Sequence, residues 1–223
     1  MTDLDLTYAH HYEIKEFPEL PGTGFGPLPV HYFPGHPTRR EHDGLWIRVD
    51  PADAAPWVGV FGFGYGGSPA ISRVISTPSP ETVCVVSAGA GYRVKVNEPE
   101  QWDKVQLVPI LDVRSIPALN LLVFSTFHKL AALGSAGVVW ESPQVCWDNL
   151  RITRADIERI EGTGYDPTNE PQEMRFSVDS RTGRSLLPAP QTVDGKPIWC
   201  GPLARLGRIF FGLAAGPINP REG

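Results

Sequence analysis

Apolar and polar residues alternate along most of this chain, in runs too short for helices and closed by Gly, Pro, Ser or Asn. Between residues 71 and 187 the runs recur in a fixed order. ISRVIS, TPSPE, TVCVVSAG and GYRVKVNEPEQW fill 71–102; ILDVRS, IPALN, LLVFSTF and HKLAALGSAGVVW fill 110–140. LRITRA, DIE, RIEGTGYD and, after an insertion, MRFSVDSRTGRSLL fill 150–187. The starts at 71, 110 and 150 lie 39 and 40 residues apart. Each unit reads as an alternating strand, a turn, a second β-rich run and a hairpin, the hairpins turning at 97–100, 134–137 and 180–183. Short β-rich runs at regular spacing predict an antiparallel meander. A period near 40 with about four strands is the spacing of a propeller blade, and a lone meander has to stack on a sister unit to cover both faces. The expectation is an all-β fold of antiparallel meander units of about 40 residues, β-propeller-like; a β-sandwich or open barrel is the alternative.

The rest of the chain adds weaker elements. Leu4, Leu6, Tyr8, Tyr12 and Ile14 alternate and predict one strand or an extended arm. FPELPGTGFGPLPV (17–30) follows as a Pro-Gly-rich loop or linker. GLWIRVD (44–50) predicts a strand with Leu45, Ile47 and Val49 inward and Trp46 and Arg48 outward. WVGVFGFGYGG (57–67) interleaves Phe61, Phe63 and Tyr65 with glycines, which in a strand mark a bulge or a close backbone approach. Apolar runs at 83–86 and 121–127 predict central strands; Tyr92, Val94 and Val96 alternate with Arg93 and Lys95 as an outer strand would. EPEQW predicts a short helical turn. Leu203, Leu206, Ile209, Phe210 and Leu213 fall at helical spacing, so 203–215 predicts a short C-terminal helix packed on the sheets. Three parts follow: a strand and Pro-Gly-rich arm at 1–30, the repeat-built domain at 31–187, and a C-terminal loop and helix at 188–223. A fourth, weaker unit falls near 31–69.

Two hairpins, AALGSAGVVWES (131–142) and SVDSRTGRSLL (177–187), resemble the strand–turn–strand of quinoprotein-type β-propeller repeats. In those repeats a small residue and Asp precede a Gly turn, and an aromatic or aliphatic strand follows. The first unit has Asn-Glu-Pro-Glu where a Gly turn is expected. The second lacks the Asp, and the third ends in Leu where Trp is usual. The resemblance implies architecture only and carries over no quinone site, so no cofactor is expected.

Composition narrows the function classes. The 23 Gly and 23 Pro among 223 residues argue for many turns. A net charge of −5, with no basic cluster beyond Arg39-Arg40, argues against a nucleic-acid partner. Cys84, Cys146 and Cys200 are widely spaced without a CxxC, which disfavours a disulfide framework or zinc knuckle and predicts buried free thiols. No export signal and no run of 18 apolar residues is present, so the expectation is a cytoplasmic protein without a membrane span.

Catalytic signatures are sparse. There is no G-x-S-x-G, no H-E-x-x-H and no phosphate-binding GxxxxGK[ST]. GTGYDPTNEPQE (162–173) carries Asp166, Glu170 and Glu173 without the order of a calcium loop, and reads as a solvated insertion. His128 at a strand end reads as structural. HYFPGHPTRREHD (31–43) supplies His31, His36, His42 and Asp43, ligand types that suit a divalent metal but at spacings of no known motif. The favoured expectation is a non-catalytic all-β binding module that recognises a protein partner, of immunity, inhibitor or accessory type, or that self-associates. Its surface candidates are Trp46, Arg48, Trp57, Phe61, Phe63 and Tyr65. The alternatives are a small metal-assisted hydrolase using His31, His36, His42 and Asp43, and a carbohydrate-binding module with Trp46, Trp57 and Tyr65 exposed and coplanar.

Overall fold

A computed structural model describes residues 3–16, 28–35, 43–64, 70–168, 172–187, 192–193 and 196–197. The chain opens with β1 (Asp3–Asp5), β2 (Tyr12–Glu16), β3 (Val30–Phe33), β4 (Gly44–Pro51) and β5 (Trp57–Gly62). β6 (Arg73–Ser76), β7 (Thr82–Ser87), β8 (Ala90–Lys95) and β9 (Trp102–Val105) follow, then β10 (Asp112–Ile116), β11 (Leu121–Ser125), β12 (Leu130–Gly134) and β13 (Gly137–Glu141). β14 (Asp148–Ala155), β15 (Arg159–Tyr165) and β16 (Glu173–Asp179) precede a small ribbon of β17 (Thr192–Val193) and β18 (Lys196–Pro197). The fold is all-β as expected. Among the described residues there is no α-helix, and one 3₁₀ turn spans Pro117–Leu119. The helix expected over 203–215 lies outside the described residues.

The strands form four main sheets. Sheet I has the order β2-β4-β5-β3, sheet II β1-β6-β7-β8-β9, sheet III β10-β11-β12-β13 and sheet IV β14-β15-β16. Sheets III and IV are antiparallel meanders, with register shifts between β12 and β13 and between β14 and β15. β1 joins β6 in parallel and β3 joins β5 in parallel. The alternation at the N-terminus therefore makes two strands in two different sheets, β1 in sheet II and β2 in sheet I.

The sheets stack face to face in chain order, and period-two side-chain alternation explains how. In β7, Val83 and Val85 enter a core with Tyr12, Phe33, Ile47, Val49, Trp57 and Phe61 of sheet I. Their neighbours Cys84 and Val86 point the other way, into a core with Val113, Leu122, Phe124 and Leu133 of sheet III. In β11, Leu122 and Phe124 face sheet II, while Leu121 and Val123 join Leu150, Ile152, Ile160, Phe176 and Val178 of sheet IV. The runs that read as apolar on both faces are thus the middle strands of the two inner sheets. Each such side chain taken fully out of water contributes about 1.5–3 kcal/mol.

Polar ties hold the leading edges together. Arg73 of β6 pairs with Asp3, lies 3.7 Å from Asp112, and donates through Nη1 to Val113 O of sheet III at 2.8 Å. Ser115 Oγ donates to Asp5 Oδ2 at 2.9 Å, and the Tyr8 hydroxyl donates to Leu121 O. Burial of Tyr8 pushes its hydroxyl up to about 12, so it stays a donor. Arg114 of sheet III repeats the device one sheet on, reaching Ile152 O of sheet IV at 3.4 Å. In sheet IV, Arg154 turns to Asp156 of the following turn and to Glu161 of β15.

Two local expectations change. EPEQW forms a turn, and Trp102 begins β9, a strand beyond the one expected to be outermost. WDKV has little alternation to announce it, because only Trp102 and Val105 turn toward cores. Asp166 is not a solvated carboxylate: it is fully buried and caps its loop, its Oδ1 accepting from Thr168 N at 2.9 Å and Thr168 Oγ1 at 2.7 Å. Glu170 lies outside the described residues. Cys84 and Cys146 are buried free thiols, as expected; Cys200 lies outside the described residues. Burial pushes the Cys84 thiol up to about 12 and that of Cys146 to about 11, so both are protonated at neutral pH.

Candidate functional site

The end of β5 is where the sequence leaves the sheet and where an apolar cleft opens between sheets I and II. Phe61 and Phe63 have the same parity, so continued alternation would put both rings inside. Phe61 is buried, stacked on Phe33 with ring centroids 4.7 Å apart. Phe63 is 56% exposed, because β5 ends at Gly62 and the backbone turns toward sheet II.

Three hydrogen bonds hold that turn. Ser87 Oγ donates to Phe61 O at 2.8 Å, the Tyr92 hydroxyl donates to Gly62 O at 2.9 Å, and Gly64 N donates to Ser87 O at 3.0 Å. A side chain at Gly64 would meet Ala90 N at 2.5 Å, so the approach requires glycine. The partner backbone is the two-residue turn at Ala88 and Gly89, both at positive φ (42° and 84°), which fits a tight hairpin. The exposed Phe63 ring therefore projects from a backbone tied down on both sides.

The cleft beneath it encloses about 720 Å³. Tyr92 and Ala90 of β8 and the backbone of Gly62 form the floor; Pro34 and Val108 stand on the rim with Phe63. Val108 is 53% exposed. Asp43 and Lys104 add one charge of each sign to the lining. The Tyr92 phenol is raised above its ordinary range by burial and stays a donor to Gly62. Among the described residues the lining is mostly apolar, with Asp43, Lys104 and the Tyr92 hydroxyl its polar groups.

The other surface candidates divide. Trp57 and Phe61 are interior residues, 2% and 0% exposed, rather than surface ones. Trp57 packs against Phe33 and donates Nε1 to Val96 O at 2.8 Å. With Trp57 buried, the coplanar platform for a carbohydrate does not form. Trp46 and Arg48 lie on the outer face of sheet I, half-buried: Trp46 meets Tyr32 edge-on at 6.4 Å above Val60, and Arg48 Nε bonds Asp50 at 2.6 Å. Tyr65 lies outside the described residues.

The metal candidates do not assemble where they are described. His31 pairs with Gly59 in the ladder, while Asp43 precedes Gly44, which pairs with Gly62. At about 3.3 Å per residue their backbones stand about 13 Å apart along β5 and on opposite sides of it. His31 leans edge-on against Trp57 at 5.6 Å and faces Glu100 at 3.6 Å. Burial lowers its pKa, an effect Glu100 partly offsets. His36 and His42 lie outside the described residues. Among the described residues no group of three or more His, Cys, Asp or Glu is placed to hold a metal ion. No described helix is long and apolar enough to cross a membrane.

The sequence marks Tyr92 only as an outer-strand residue and gives Val108, Ala90 and Lys104 no role. Val108 carries no local signal of exposure; it reads as one more apolar residue before Pro109. No family model matches the chain, and no curated protein resembles it.

Proposed function

We propose that the chain is a non-catalytic binding module whose four sheets are blades of a propeller-like array, and that it captures a protein partner in the cleft between sheets I and II. The partner inserts an apolar side chain from an exposed loop between Phe63 and Val108, over the Tyr92 floor. An immunity, inhibitor or accessory role fits such a surface.

One observation carries this reading: a phenylalanine held half in water by a backbone clamped to two sheets, above a cleft lined by apolar groups. Exposed aromatic anchors beside preformed pockets are where binding energy concentrates. The blade reading is supported by sequential face-to-face packing and by two tryptophans, Trp57 and Trp140, that each reach a turn of the following sheet, 39 and 40 residues ahead.

The test is co-purification from cells of the source, comparing wild type with Phe63→Ser and Val108→Ser at matched folding by circular dichroism. Each substitution is expected to reduce retention of a discrete partner at least about tenfold, a loss of about 1.4 kcal/mol. Equal retention by all three proteins would contradict the assignment. A second copy as occupant would register as a concentration-dependent dimer broken by the same changes.

A further inference from the structure

The three sheet junctions can be compared at one equivalent position, the residue that follows the third strand of each meander. In sheet II this is Val96 after β8, and Trp57 Nε1 of sheet I donates to its carbonyl at 2.8 Å. In sheet IV it is Ser180 after β16, and Trp140 Nε1 of sheet III donates to its carbonyl at 3.0 Å. In sheet III it is Ser135 after β12. There the junction with sheet II carries a cavity of about 350 Å³, with Ser135 in its wall.

The residues that sheet II sends into this junction are charged. Tyr92, Val94 and Trp102 face sheet I, so alternation turns Arg93, Lys95 and Asp103 toward sheet III. Arg93 is only 20% exposed in its side chain, and its Nε and Nη2 reach the same Asp103 oxygen at 3.2 and 2.8 Å. Those bonds use two of its five N–H groups; the other three have no partner among the described residues. A second cavity of about 130 Å³ flanks the same ion pair. The Asp103 side chain is 57% exposed, so the pair adds little cohesion to the junction. A chain that packs its other two junctions with Trp and breaks the pattern here marks a place where packing yields to binding.

We infer that this junction is a second binding site, separate from the apolar cleft, for an oxyanion carried on a hydroxylated, sugar-sized skeleton. Arg93 and Lys95 outnumber Asp103 in the lining, which favours an anion. Ser79, Thr82, Gln101 and Ser135 supply hydroxyl and amide partners for the polyol. The larger cavity falls at the small end of ligand sites, about 300–1,000 Å³.

Ligand-observed NMR and thermal-shift titrations of the full chain with glucose 6-phosphate, glucuronate, glucose and inorganic phosphate test it. Saturable binding of glucose 6-phosphate or glucuronate is expected, the preferred one identifying the anion as phosphate or carboxylate. Glucose and inorganic phosphate are each expected to bind at least tenfold more weakly. Arg93→Gln and Lys95→Gln should each weaken binding at least tenfold; Lys95 is exposed, so that variant reports even if Arg93→Gln unfolds. Failure of both anions to bind, equal binding by inorganic phosphate, or unchanged binding in Lys95→Gln would overturn the site.

Discussion

The junction between sheets III and IV and the junction between sheets II and III both pack strands face to face but are finished differently. The first is closed at its rim by Trp140, which lies on Gly183 and bonds Ser180. Gly183 sits at φ +67° directly beneath the indole, so both the backbone conformation and the space require glycine. The second junction is apolar only along its inner half, through Cys84, Val86, Leu122 and Phe124, and turns polar at the rim around Arg93 and Asp103. The two junctions share face-to-face packing, but one rim is closed by a buried indole and the other is edged by an ion pair.

Substitutions on the two rims should differ sharply. Trp140→Ala removes a buried indole and its hydrogen bond and is expected to cost about 3–5 kcal/mol, read as a drop in the urea midpoint at unchanged slope. Arg73→Ala, which cuts the tie from sheet II to Val113 and Asp112, is expected to cost about 1.5–3 kcal/mol by the same measurement. The polar rim should respond weakly. Replacing Arg93 and Asp103 together by valine is expected to change stability by about 1 kcal/mol or less, while the cavity no longer takes an anion. A loss of several kcal/mol there would make the charged rim a cohesive element and erase the contrast.

Phe63→Ala should change stability by about 0.5 kcal/mol or less, against the far larger effect of Phe61→Ala in the same strand. The smallest effect concerns pH. Burial against Trp57 lowers the His31 pKa in the folded chain, so between that value and about 6.5 the unfolded chain binds more protons. The contribution is complete above about 6.5 and is lost as pH falls below it. His31→Gln should remove that part of the acid sensitivity in melting curves taken between pH 5 and 7.5, a range set around the free imidazole pKa of about 6.5; an unchanged pH profile would count against it.

Much of the sheet structure was legible in the sequence, because strands such as TVCVVS and LLVFS announce burial on both faces by being apolar throughout. The turns at 134–137 and 180–183 were equally plain. What the sequence hid was where alternation stops. Phe61 and Phe63 look equivalent in period-two reading, and only the exit of the chain after Gly62 makes one a core ring and the other a surface ring. Trp57 read as a surface candidate for the same reason: nothing local distinguishes an indole that seals a junction from one that faces a partner. The parallel additions of β1 and β3 depend on contacts between segments far apart in the chain, which no local pattern encodes.

Partner capture through the cleft is tested most directly by photo-crosslinking from position 63. A benzoylphenylalanine replacing Phe63 in the full chain is compared with one replacing Val139, which is equally exposed at 56% on β13, a strand of sheet III. The expected result is a discrete protein adduct from position 63 and none from position 139. Adducts of equal yield from both positions, or none from position 63, would contradict capture in the cleft.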